Sequence, residues 1–104
     1  MARVLAIVTD LMLSSRVEES LRNAGHDVAV MQSLPNPVEA DALVCDLDVV
    51  DIEEVARAGV PTLGFYSHVD VETKNAADTA GIDLAVPRSR MARELPQLVD
   101  KLLA

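Results

Sequence analysis

The sequence holds little that a flavin site, a nucleic-acid platform or a membrane span requires. Tryptophan is absent and the only large aromatic rings are Phe65 and Tyr66, too few for stacking surfaces that hold bases or flavin rings. Cys45 is the single cysteine, so no intramolecular disulfide can form, and no second Cys or His at ligand spacing supports a thiolate metal site. The chain fits a reducing compartment, and a cytoplasmic location is expected. Nothing approaches the ~20 apolar residues of a membrane span, Asp10 interrupts the first apolar run, and no small-residue cleavage site follows it, which argues against a signal peptide. Basic residues are scarce: nine Lys and Arg stand against 17 Asp and Glu, a net charge of -8. That balance repels phosphate backbones and anionic lipid, so neither nucleic acid nor membrane is an expected partner.

What is present is a patterned apolar half. Of 104 residues 50% are hydrophobic, enough for one domain over 1-104 that buries roughly two-thirds of its unfolded surface. Apolar runs rich in β-branched residues recur at Arg3–Val8, Asp27–Met31, Ala42–Cys45, Pro61–Tyr66 and Asp83–Val86. They are continuous rather than alternating, as strands buried on both faces of a parallel sheet read. Between the first two, Leu13, Val17 and Leu21 make the apolar stripe of a helix stopped by Gly25. Asp51–Ala58 predicts a short helix ending at Gly59, with Asp51, Glu53 and Glu54 in the first turn where the dipole favours them. Asp70–Ala80 predicts another, closed by Gly81. The last helix carries Leu95, Leu98, Val99 and Leu102 on one side, and Pro96 is tolerable only in a first turn. Pro35, Asn36 and Pro37 leave no helix in Gln32–Ala40, so thin cover of one sheet face is expected.

Several short stretches resemble the receiver domains of two-component response regulators. They are Val8-Thr9-Asp10, Gly25-His26-Asp27-Val28, Asp41-Ala42-Leu43-Val44-Cys45-Asp46, Gly59-Val60-Pro61 and Ala80-Gly81-Ile82-Asp83, and together they span nearly the whole chain. The resemblance implies an α/β, flavodoxin-like, doubly wound five-stranded parallel sheet of order 2-1-3-4-5, with the second helix missing or vestigial. It places the active site at the carboxyl ends of the strands, where open α/β sheets bind ligands. It also implies that Asp46 is the phosphoacceptor and that Asp10 and Asp46 hold Mg²⁺. Thr9 stands where the family has a further acid, which leaves a hard cation less charge to bind. Arg88 lies nearest the place of the family's Lys, and an Arg forks onto phosphate rather than acting as a point charge. Ser67 fills the place of the family's Ser or Thr if the fourth strand is one residue longer; counting from Pro61 puts Tyr66 there. These departures, with the short connections around the third strand, mark a degenerate or pseudo-receiver.

Each of these residues also has a plainer explanation. Asp46 ends its strand by capping loop amides, and Asp10 caps the first helix. Arg88, Arg90 and Arg93 surround a helix start that disfavours positive charge; either Asp10, Asp46 and Asp48 neutralise them or Arg90 and Arg93 are solvated. Asp46-Leu47-Asp48-Val49 is also similar to the Asp-x-Asp signature of haloacid-dehalogenase-type phosphohydrolases, which requires the two carboxylates to converge. His68 beside Ser67 reads as a loop histidine, His26 as one that bonds a carbonyl, and Cys45 as a small buried hydrophobe. Leu11, Met12 and Leu13 read as core, with Leu11 and Met12 as an alternative apolar lip beside the acids. The first loop lacks the glycine density that wraps a phosphate, so no flavin or nucleotide is expected. The expected function is a receiver-like signalling module without catalytic residues. It acts on a histidine kinase or output protein, with Mg²⁺-dependent phosphorylation of Asp46 as its regulator. The alternative is a homodimeric assembly module using the sheet face that the lost helix exposes.

Overall fold

The computed structural model describes residues 2–67 and 71–104. Along the chain run β1 (Arg3–Ile7), α1 (Leu11–Asn23), β2 (Asp27–Met31), β3 (Ala42–Asp46), α2 (Ile52–Ala56), β4 (Thr62–Tyr66), α3 (Val71–Ala80), β5 (Leu84–Pro87) and α4 (Arg88–Leu103). The sheet order is β2-β1-β3-β4-β5 and every pairing is parallel. The doubly wound order that the resemblance implies is therefore observed. The third helix begins at Val71; its expected first residue, Asp70, lies outside the described residues, as does His68.

Every residue of β3 and β4 is buried, which is why their sequences read as unbroken apolar runs. One face packs Val4, Ala6, Val44, Leu63 and Phe65 against Leu13, Val17 and Leu21 of α1 and Met91, Leu95 and Val99 of α4. The other holds Leu5, Ile7, Leu43 and Cys45 beneath Val55 of α2 and Ala77 of α3. Where a helix between β2 and β3 is missing, the irregular segment 32–41 lays Leu34, Val38 and Ala40 on this same cluster, so Ile7 and Leu43 are fully buried. The open face on which the homodimer reading depends is thus absent over the central strands. Only β2 pays for the lost helix: it alternates, with Val28 buried and Asp27, Ala29 and Met31 exposed, rather than being buried on both faces as its sequence predicts.

Local rules explain most element ends. α1 stops where Gly25, at φ +93, bonds back to the Arg22 carbonyl at 3.0 Å and is followed by the His26 amide on the Leu21 carbonyl at 3.0 Å, a left-handed closure that glycine adopts without strain. α4 is broken at Glu94 (φ -121, ψ 18), so Pro96 falls in the first turn of the second segment, the position where its missing N–H costs nothing. His26 bonds the Leu21 carbonyl through its backbone amide only; its side-chain Nδ1 instead accepts from the Ala2 amide at 3.3 Å, because the start of β1 lies alongside it. No described helix is long and apolar enough to cross a membrane.

α2 is only five residues long, shorter than its sequence predicts, and so depends on its cap. The Asp51 carboxylate accepts from the Glu53 amide at 2.9 Å and the Glu54 amide at 3.3 Å. Asp51→Ala is expected to lower stability by about 1 kcal/mol, read as a lower urea midpoint at unchanged slope, with Asp51→Asn recovering most of the loss.

Candidate functional site

Parallel strands all point one way, so β1, β3, β4 and β5 deliver the residues that follow them to a single edge of the sheet. Asp10 arrives there as the N-cap of α1 and accepts from the Leu13 amide at 3.1 Å. Asp46 is the last residue of β3 and only 4% exposed. By strand alternation its side chain lies on the α1/α4 side of the sheet, opposite Cys45. Its Oδ1 accepts from the Asp48 amide at 2.9 Å, and its Oδ2 lies 3.5 Å from Arg88 Nη2. Burial pushes the Asp46 carboxyl above the ordinary aspartate range; the Asp48 amide and Arg88 work against this, while the charges of Asp48 and Asp10 add to it.

The Asp46–Asp48 bond is an Asx turn, and the Val49 amide closes the loop on the Asp46 carbonyl at 3.2 Å. The turn aims Asp48 across to β4, where its Oδ2 accepts from both the Ser67 amide at 3.0 Å and the Ser67 hydroxyl at 2.7 Å. Tyr66 is packed in the α2/α3 cluster, so Ser67 and not Tyr66 stands at the site. Asp48 is thereby committed to Ser67, not held free beside Asp46 as the phosphohydrolase reading requires.

Arg88 opens α4, and its Nε is buried without a hydrogen-bond partner. Of the three arginines it alone reaches the acids of the site. Arg90 and Arg93 both pair with Glu94, at 3.5 and 3.2 Å, because the helix carries them away from the sheet edge. Cys45 is buried on the other face, where desolvation and then the adjacent Asp46 raise its thiol to about 12, so it is inert as a nucleophile.

One feature realises the alternative that the sequence offered, and a second escapes it. Leu11 and Met12 are 76% and 80% exposed while Leu13 is buried, so the first two form the lip and only the third is core. Gly64, in the middle of β4, lies under the Leu47 side chain, close enough that a Cβ there would meet Leu47 Cδ1 at 2.7 Å. A glycine inside an apolar strand is the one sequence signal of such an approach. A cavity of about 690 Å³ beside the acids is lined by Asp10, Met12, Arg16, Ser67, Arg88 and Ser89 among others. A larger one, about 910 Å³, lies between α2 and α3 and touches neither Asp46 nor Arg88.

The donor set does not fit Mg²⁺ as it stands. One Asp10 oxygen caps α1, one Asp48 oxygen is held by Ser67, and Asp46 faces Arg88, whose guanidinium takes the electrostatic place of a cation. Among the described residues no three Asp, Glu, His or Cys side chains gather where they would hold a metal ion.

No family model and no curated protein matches the chain. Its fold, by contrast, is shared with solved response-regulator receiver domains. A response regulator of Chloroflexus aurantiacus superposes with a TM-score of 0.84 at 23% identity, over 98% of this chain and 97% of that one. The non-phosphorylated HemR receiver domain of Leptospira biflexa gives 0.83 at 17% identity, over 100% and 95%. The ChxR receiver domain of Chlamydia trachomatis gives 0.74 at 18%, over 99% and 98%. The chain therefore has the receiver fold over essentially its whole length.

Proposed function

We propose that this domain is a cytoplasmic, receiver-like signalling module that acts by docking a protein partner on the carboxyl edge of its sheet. One observation carries this reading. Among the described residues, the exposed large apolar side chains are Leu11, Met12, Met31, Val49 and Val71, and all five lie at or just beyond the carboxyl end of a strand. Scattered exposed apolar residues need no explanation, but a set gathered on one edge marks a contact surface. Asp10, Asp48 and Asp51 are interspersed among them, so a complementary partner presents apolar side chains flanked by Lys or Arg. A histidine kinase or an output protein is the partner class that the receiver likeness suggests. No residue is assigned a catalytic role; Asp46 is at most an acceptor of a phosphoryl group.

The test is photo-crosslinking in cells, with a crosslinking amino acid in place of Met12 and, on the opposite edge, in place of Asp41. A discrete adduct with another protein is expected from the Met12 position, lost on Leu11→Asp and absent from the Asp41 position. No adduct at Met12, or equal adducts at both edges, overturns the reading. An adduct of twice the chain's own mass transfers this edge to a homodimer.

A further inference from the structure

We infer that Asp48 is a built-in anionic ligand for Ser67, which fixes this part of the docking edge without any modification of Asp46. The inference rests on the receiver-like reading above and concerns how its docking edge is set. A residue just past β4 offers an anion two donors, its amide and its hydroxyl. Here one oxygen of Asp48 takes both, at 3.0 and 2.7 Å, and hydrogen bonds to a carboxylate are the stronger kind. Asp48 is itself aimed by the turn in which its amide donates to Asp46, and Asp46 is matched by Arg88. The anion that Ser67 needs and the cation that Asp46 needs are thus both supplied by the chain.

The arrangement ties three elements together: the loop after β3, the end of β4 and the start of α4. A phosphoryl group on Asp46 would compete with Asp48 for Ser67 and would add negative charge beside Asp48 and Asp10, in a chain already at -8. Ser67 therefore keeps its position without phosphorylation, and the edge bearing Met12, Val49 and Val71 is preset rather than switched on. Asp48 is a positioning residue: it orders Ser67 and needs to touch no reacting atom.

Amide NMR on the full chain tests this. In Asp48→Ala the Ser67 amide is expected to shift more than any amide outside the loop and to exchange with solvent roughly tenfold faster, the factor matching loss of one charge-assisted hydrogen bond. Asp48→Asn, whose side-chain oxygen still accepts, is expected to fall between Asp48→Ala and the parent. In Asp46→Asn the Ser67 amide is expected to stay in place, since the ligand is Asp48 and not a modified Asp46. An unmoved Ser67 in Asp48→Ala, with the remaining spectrum showing an intact fold, overturns the inference; so does a Ser67 shift in Asp46→Asn as large as that in Asp48→Ala. The two readings fail separately: a responsive Ser67 with no Met12 adduct leaves the internal ligand and removes the docking edge, and the reverse result does the opposite.

Discussion

Gly64→Ala is expected to destabilise the domain by roughly 1–3 kcal/mol and to disturb the acids of the site, although residue 64 touches none of them. The added Cβ would come within 2.7 to 2.8 Å of Leu47 Cδ1, Cδ2 and Cγ. Because Cγ is among the atoms struck, a rotation of the leucine tip does not relieve the clash. Leu47 is 5% exposed and its amide is bonded to the Phe65 carbonyl at 2.8 Å, so the backbone resists moving and the clash is relieved only by turning the whole side chain toward the cavity between α2 and α3. Leu47 lies between Asp46 and Asp48, and any displacement passes directly to both. The expected readout is a lower unfolding free energy together with shifted Asp48 and Ser67 amides. Leu47→Ala alone leaves a void, but combined with Gly64→Ala it removes the clash, so the double variant is expected to be more stable than the two separate losses predict. Additive losses with an undisturbed Ser67 would count against this coupling.

Asp46→Asn is expected to be more stable than the parent at neutral pH, by on the order of 1 kcal/mol, and to flatten the pH dependence. Burial raises the Asp46 carboxyl in the folded chain, so the folded state binds that proton more tightly than the unfolded state. Stability then falls as pH rises from the ordinary carboxylate range through the higher range of folded Asp46, and the loss persists above it. Asparagine keeps an oxygen for the Asp48 amide and carries no charge to desolvate, so the fall disappears. The gain is limited because Arg88, 3.5 Å away, loses its partner. Urea unfolding from mildly acidic to neutral pH checks this: the two curves should converge on the acid side and separate toward neutrality. A parent whose stability rises over that interval relative to the variant would show that Arg88 outweighs burial. The same substitution is expected to abolish any phosphoryl uptake from a small acyl phosphate, read by intact mass.

How much of this was legible beforehand follows from the range of the interactions. Strand positions and helix stops were readable because they are written in neighbouring residues: β-branched runs such as Val28-Ala29-Val30, the stripe Leu13, Val17, Leu21, and glycines at 25, 59 and 81. The gathering of Asp10, Asp46, Asp48 and Arg88 on one edge was readable as well, since a parallel sheet sends every strand end the same way, but the choice of Ser67 over Tyr66 depended on where β4 ends. Patterning failed where burial depended on a distant segment. β2 carries the same apolar run as its neighbours, yet half of it is exposed because no helix covers its outer face, while Leu34 and Val38 cover the central strands from a stretch with no pattern of its own. Leu11 and Met12 look like core beside Leu13, but the direction in which α1 leaves β1 turns them outward. The Asp48–Ser67 bond and the seating of Leu47 on Gly64 join residues many positions apart across two strands. Such contacts arise from strand register and one turn, at ångström scale, and a residue's own neighbours carry no trace of them.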